Sequence, residues 1–370
     1  MPLAPVLAFV MPKVALLSAG GTGGHLFPAQ ALGKELVRRG WDVHLATDTR
    51  AAHFLLGFDD ITVHEIRSAT PSVKSPIKAI RAIASLASGT WASIKLINSI
   101  KPSIFIGFGG YPTTPPGVAA ALKKVPILLH EANATPGRAN RFLARFATGY
   151  ARSLPGAAIS AKVIDAETGN PVRQTVLDAI RLYVAPQSGE RFNLLVFGGS
   201  QGAQVFSSLL PNALALLSED ERKRISLTLQ VRLEDDSECR ERLADIGINA
   251  ELAPFYGDLP ERITNAHFVI ARAGASTVSE LAVLGRPSLL VPYPYALDHD
   301  QAANAQVLQQ AGGAIVTKQS ELTPQALAEQ LIKLLCGKLD LQDMAASAQA
   351  MGRPDATQRL ADMTVQLARP

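Results

Sequence analysis

Two glycine-rich runs set the chemistry open to this sequence: Gly20 to His25 reads GGTGGH, and Gly198 to Ala203 reads GGSQGA. Such a run between a strand and a helix presents free backbone N–H groups and the positive helix terminus, which together favour a phosphate. A plain tight turn that needs glycine at positive φ requires fewer than the four glycines found between Gly20 and Gly24. A dinucleotide fingerprint is a rival: GxGxxG counted from Gly21 fails because Leu26 stands at the last glycine position, while Asp48 at the end of the next strand keeps that rival open. His25 closes the first run, where an imidazole suits deprotonation of a sugar hydroxyl near neutral pH or ligand binding without proton transfer. Ser200 adds a hydroxyl donor to the second run, and two opposed runs would cradle a diphosphate.

Other polar groups follow strand ends. In Arg272 to Glu280 (RAGASTVSE), Glu280 stands three residues after Thr277. Spacing alone leaves two readings, a capping box or a carboxylate that accepts hydrogen bonds from both hydroxyls of a ribose. Asp298 to Ala305 (DHDQAANA) supplies the amides Gln301 and Asn304, which bond sugar hydroxyls without adding charge. Its DxD spacing is read as coincidence, since glycine loops at helix ends neutralise a diphosphate without a metal; no metal or cofactor is expected. His130, Glu131 and Asn133 end another strand, and Tyr111 follows Gly109-Gly110 at a third. In α/β sheets, strand ends of this kind line the ligand crevice.

The elements that must position these groups alternate between short apolar strands and helical patterns, as in parallel α/β architecture. Strands are predicted at Val14 to Ser18, Trp41 to Ala46, Ile104 to Phe108 and Val125 to Leu129, with Pro28 in the first turn of the helix after the first glycine run. The pattern restarts after Gly169-Asn170-Pro171, with strands at Asn193 to Phe197, Ser226 to Val231, Phe268 to Ala271 and Ser288 to Val291, and a helix at Val205 to Leu217. Two strand, glycine loop, helix openings half a chain apart imply two Rossmann-like domains with parallel sheets facing across a cleft. The expected division is residues 1–172 for the first domain and 173–352 for the second. Periodicity does not decide where a last helix near Ala356 to Leu367 packs; residues 353–370 are assigned as returning to the first domain.

A helix from Ser75-Pro76 carries Lys74, Lys78, Arg81 and Lys95 on one side and Ile77, Ile80, Ala84, Ala87, Trp91 and Ile94 as an adjoining stripe. That pattern fits a helix lying on anionic lipid or one packing its stripe on a sheet. Charge sharpens the point. Residues 1–172 hold 18 Lys and Arg against 9 Asp and Glu, a net +9, and residues 173–370 hold 18 against 23, a net −5. The basic half favours an anionic partner: lipid headgroups, pyrophosphate or nucleic acid.

At 370 residues, 47% hydrophobic and 18% charged, the chain has material for two cores and is not of disordered composition. Cys239 and Cys336 stand apart with no metal-ligand spacing, so neither a disulfide framework nor a zinc site is expected. The apolar first ten residues lack a basic region and run through Met11 and Lys13 into the first strand, which disfavours a signal peptide. No apolar stretch is long enough for a spanning helix, so membrane contact is expected to be peripheral.

GGTGGHLFP, GFGGYPTTP, HEAN, GNPVR, FGGSQGA, RAGASTVSE and DQAANA occur in this order over nearly the whole chain. As a set they resemble the MurG family, the UDP-N-acetylglucosamine:N-acetylmuramyl-(pentapeptide) pyrophosphoryl-undecaprenol N-acetylglucosamine transferases. The resemblance implies a GT-B fold, inverting transfer from UDP-N-acetylglucosamine to the muramyl C4 hydroxyl of lipid I to form lipid II, and no cofactor. It carries donor contacts onto Thr22, Gly23, Gly24, Asn133, Arg173, Ser200, the backbone around Tyr256, the run Ala275, Ser276, Thr277, Val278, Ser279 and Glu280, and Gln301. His25 becomes the candidate base, and Tyr111, His130 and Glu131 are expected on the acceptor side. Implied partners are anionic lipids at the cytoplasmic face of the cell membrane and cell-division and cell-wall synthesis proteins, with no nucleic acid. Ala132 stands where the family commonly has glutamine, and Leu229 to Asp235 differs from the family's glycine-containing stretch, so neither receives a role. A UDP-N-acetylglucosamine 2-epimerase and a non-catalytic nucleotide-sugar binder are the alternatives.

Overall fold

The computed structural model describes residues 12–20, 23–49, 51, 57–66, 68, 76–156, 163–187, 189–199, 204–296 and 300–369, with backbone alone for 76–83. Thr22, Ser200, Lys74, Asp298 and His299 lie outside the described residues.

The strands are β1 (Val14–Ser18), β2 (Asp42–Thr47), β3 (Thr62–Glu65), β4 (Ile104–Gly107), β5 (Ile127–Glu131), β6 (Gly149–Arg152) and β7 (Ile164–Glu167), then β8 (Phe192–Phe197), β9 (Ile225–Gln230), β10 (Ala250–Ala253), β11 (Phe268–Ala271), β12 (Ser288–Leu290) and β13 (Ala314–Val316). They form two all-parallel sheets, ordered β3-β2-β1-β4-β5-β6-β7 and β10-β9-β8-β11-β12-β13. The helices are α1 (Gly23–Arg38), α2 (Pro76–Ile100), α3 (Thr114–Leu122), α4 (Arg138–Leu143), α5 (Gln174–Asp178), α6 (Gln204–Ala215), α7 (Glu219–Arg224), α8 (Asp236–Asp245), α9 (Leu259–Asn265), α10 (Ala275–Leu284), α11 (Asp300–Gln310), α12 (Pro324–Leu335), α13 (Leu341–Met351) and α14 (Ala356–Leu367).

Parallel strands buried on both faces read as unbroken apolar runs. β1 and β4 do so, and a core lies on each face of their sheet: Leu17, Leu32 and Ile106 on one, Leu16, Phe105 and Leu129 on the other. The second sheet is covered likewise, by Val196, Leu210 and Leu227 on one face and Leu195, Val269 and Leu281 on the other. β1 and β4 pair in register at the middle of the first sheet, and β8 and β11 at the middle of the second. The loops after these central strands therefore carry the glycine-rich motifs to the carboxyl edges, where such sheets bind ligands.

Two departures from the sequence reading concern elements. β3, β6, β7, β10 and β13 were not predicted; β3 (TVHE) and β7 (IDAE) are partly exposed edge strands without an apolar run. α2 forms, yet its stripe does not pack on the sheet at Ala84, Ala87 or Trp91, which are exposed, Trp91 by 61%. Ser93 and Ile97 bury the helix instead, and Ile94 is partly buried. α14 packs into the first core through Leu360, Ala361 and Met363.

Candidate active site

His25 lies in the first turn of α1, half-buried, with its ring against the turn after β4. Gly109 and Gly110 there have φ of 89° and 78°. A Cβ on Gly109 would stand 3.3 Å from His25 Cε1, and one on Gly110 3.4 Å from Cδ2 and 3.0 Å from the Gly20 carbonyl. Only glycine suits both the left-handed backbone and that approach. The Thr113 hydroxyl fixes the turn by donating to the Gly109 carbonyl at 2.7 Å. His25 Nδ1 is buried without a close hydrogen-bond partner. Burial holds the imidazole below its usual pKa, opposed by the charge of Asp300 and the backbone of Phe108.

The end of β5 is built differently. His130 is wholly buried, with Nε2 2.9 Å from Ser153 Oγ and 3.4 Å from the Gly169 carbonyl, and burial lowers its pKa to about 4. Glu131 is 2% exposed and accepts hydrogen bonds from the backbone of Asn133 and Gly137 and the side chains of Asn133 and Asn140. Both residues sit beneath the cleft surface and brace its loop; of the three acceptor-side candidates only Tyr111, half-buried in a short 3-10 turn, reaches solvent.

Across the cleft, α10 starts at Gly274 with no side-chain cap, so its first-turn N–H groups are left for a ligand. Ser276 Oγ is buried there without a partner. Val278 turns its side chain into the core, and Ser279 donates to the Ala275 carbonyl at 2.8 Å, leaving both only backbone for a substrate. Glu280 lies at the sixth helical position, which removes the capping-box reading. It is buried, and Arg173 Nη2 approaches it at 3.4 Å. Burial raises the carboxyl's pKa, with Arg173 pulling the other way. The same guanidinium lies 4.4 Å from the Phe27 ring centroid of α1, so Arg173 spans both domains.

Gln301 accepts from the backbone N–H groups of Ala273 (3.2 Å) and Tyr293 (3.0 Å), which orients its NH2 group. Tyr256 directs its hydroxyl to the carbonyls of Leu229 and Glu251, which leaves the backbone there for a ligand, and burial pushes its pKa up to about 12.

The two glycosyltransferase family 28 domain models match in order: the N-terminal domain over residues 15–151 and the C-terminal domain over residues 193–360. A Brucella abortus (strain S19) UDP-N-acetylglucosamine--N-acetylmuramyl-(pentapeptide) pyrophosphoryl-undecaprenol N-acetylglucosamine transferase is 50% identical over 360 residues, 96% of this chain and 94% of that protein. The crystal structure of Acinetobacter baumannii MurG superposes with a TM-score of 0.78 at 30% identity, covering 96% of this chain and 100% of that one. The chain belongs to the MurG family. Its two parallel α/β domains form the GT-B fold of these transferases. A putative UDP-N-acetylglucosamine 2-epimerase from Listeria monocytogenes, at 16% identity and a TM-score of 0.65 over 94% of this chain and 95% of that one, shares the fold alone.

Sequence reasoning does not reveal that three buried amides hold loops of the site in place. Gln230, in the atypical Leu229 to Asp235 stretch, accepts from Gly198 N–H and donates to the carbonyls of Gly199 and Pro254, tying the second glycine run to the loop after β10. Asn140 donates to Glu131 and to the His130 carbonyl. Asn304 accepts from Ala134 N–H at 2.8 Å and donates to Asn133 Oδ1 (3.0 Å) and the Ala273 carbonyl (3.2 Å), joining the two domains. Its place in DQAANA was noticed, but spacing assigned it to sugar. Among the described residues no cluster of three or more His, Cys, Asp or Glu is placed to hold a metal ion.

Proposed function

We propose that this chain transfers N-acetylglucosamine from UDP-N-acetylglucosamine to the C4 hydroxyl of the muramyl sugar of lipid I, undecaprenyl-pyrophosphoryl-MurNAc-pentapeptide, forming lipid II with inversion at the anomeric carbon. The observation that carries this reading is 50% identity over 360 residues, a span that takes in both domains, to a Brucella abortus transferase named for that reaction.

The residues divide the work by position. The first-turn amides of α10 from Ala275 to Thr277, with Gly23 and Gly24, surround the diphosphate, and the resemblance adds Thr22 to this set. Arg173 and Ser200 offset the charge on the departing UDP, where preorganised donors act most strongly. Glu280 receives the ribose hydroxyls, and those hydrogen bonds favour the ionised carboxylate that burial disfavours. Asn133 and Gln301 hold the sugar, Asn133 with the N–H left over from its bond to Glu131 and Gln301 with the NH2 group that its oxygen's two backbone bonds orient. His25 removes the C4 hydroxyl proton of the acceptor as its oxygen attacks.

The acceptor is membrane-bound, and an exposed apolar, basic face supports docking there. Trp91 on α2, Leu122 on α3, and Phe142 and Phe146 on and after α4 are exposed by 61%, 65%, 39% and 48%. Lys95 Nζ stands 3.5 Å from the Trp91 ring centroid and Arg145 5.8 Å from that of Phe142. No described helix is long and apolar enough to cross a membrane. We place the protein peripherally at the cytoplasmic face; a link to cell-division proteins rests on the resemblance alone.

The test is transfer of labelled sugar from UDP-N-acetylglucosamine to a prenyl-pyrophosphoryl MurNAc-pentapeptide. Wild type should label the lipid, and His25→Ala should lower kcat by roughly 10²- to 10⁴-fold. Epimerisation of UDP-N-acetylglucosamine without transfer would overturn the reading.

A further inference from the structure

We propose that Phe27 of the first domain is a positioning residue for Arg173: its ring, seated on Gly23, carries the guanidinium on its face and leaves the N–H groups free for Glu280 and the donor diphosphate. This role deepens the assignment of Arg173 to the departing UDP and depends on it.

The first glycine run fixes the ring. Gly23 and Phe27 stand four residues apart in α1 and share a face, and a helical side chain lies back over the turn N-terminal to its own Cα. A Cβ on Gly23 would stand 2.8 Å from Phe27 Cε2 and 3.1 Å from Cζ. The ring therefore reaches the backbone of the run only because residue 23 is glycine. Phe27 is half-buried, and the Arg173 guanidinium lies over it with Cζ 4.4 Å from the ring centroid. Of the cation and ring pairs among the described residues, this is the one that joins the two domains.

An aromatic face suits a cation that must also bind anions. It attracts the guanidinium through the ring quadrupole and uses none of the N–H donors, which lie in the guanidinium plane. Arg173 directs Nη2 to Glu280 Oε1 at 3.4 Å, longer than an ordinary N–H···O bond, so the carboxylate holds the group only loosely. Its Nε is buried without a hydrogen-bond partner among the described residues. The ring thus sets the plane of the guanidinium, and Nε–H and the remaining N–H groups are left for phosphate oxygens. Because the same ring rests on Gly23, the cation is held beside the amides of the first glycine run, which belong to the opposite domain.

The test is calorimetry of UDP and of uridine with Phe27→Leu, with a ring-fluorinated phenylalanine at the same position, and with Arg173→Gln. Leucine keeps an apolar contact and has no π face, so the Kd for UDP should rise about tenfold while that for uridine, which carries no phosphate, stays within about threefold of wild type. Fluorination keeps the ring's shape and drains its face, so UDP affinity should fall between the two. In the Arg173→Gln background, Phe27→Leu should add no further loss. Wild-type UDP affinity in the fluorinated protein, or an equal loss of uridine and UDP in Phe27→Leu, would show that the ring serves packing alone and overturns this inference. A full further loss in the double variant does the same. Wild-type UDP affinity in Arg173→Gln overturns the assignment of Arg173 and this inference together.

Discussion

Glu131 and His130 are neighbours at one strand end, and burial moves both toward neutrality. Glu131 accepts four hydrogen bonds, each to a charged acceptor worth roughly 1.5–3 kcal/mol, yet desolvation still holds its pKa above the ordinary value. His130 has only Ser153 and Gly169 beside Nε2, and its pKa falls to about 4. The unfolded chain therefore binds a proton at His130 that the folded one refuses between its unfolded value of 6.5 and about 4. Stability from this residue is complete above that window and is lost as pH falls through it. Between pH 7 and pH 5, wild type should lose about 2 kcal/mol more than His130→Gln in urea denaturation. Equal losses in the two proteins would show that His130 titrates as a solvated histidine. The cluster itself was legible as polar residues after an apolar run. The direction of its side chains was not, because every residue of β5 is buried and a period of two has no contrast to report.

At the scale of elements, central strands announced themselves and edges did not. β1, β4, β8 and β11 are apolar because helices cover both faces, whereas β3 and β7 touch water and carry the polar residues that protect an edge from pairing with another chain. α14 shows the other limit: its amphipathic spacing was readable, but either sheet offers a complementary apolar face, so periodicity by itself does not name the partner to which residues 353–370 were assigned. The structure supplies it. Leu360 is wholly buried in the first core, Arg39 pairs with Asp362 at 2.6 Å, and a Cβ on Gly149 would meet Leu367 at 2.3 Å. Leu360→Ala should thus cost about 2–5 kcal/mol, read as a lowered denaturation midpoint with cleavage in limited proteolysis between α13 and α14. A loss below about 1 kcal/mol would mean that the cavity collapses around a loosely held helix.

The whole molecule is two unlike halves, basic and acidic, that must share one substrate complex. The net charge of the basic half and its exposed Trp91 face suit the membrane docking proposed above, but charge does not set the register between domains. Directional bonds do, and Asn304 makes three of the four its amide allows while wholly buried. Asn304→Ala leaves Ala134 N–H, Asn133 Oδ1 and the Ala273 carbonyl without this partner, at about 1–3 kcal/mol for each that water cannot reach. Asn304→Asp preserves the volume but turns a carboxylate oxygen toward two oxygen acceptors. If the amide serves as a directional link, the aspartate should be at least as damaging as the alanine. Both should enlarge the radius of gyration in solution scattering and lower kcat for sugar transfer while each domain keeps its secondary structure. An aspartate variant with wild-type scattering and turnover would show that packing volume, and not the direction of these hydrogen bonds, sets the two domains against each other.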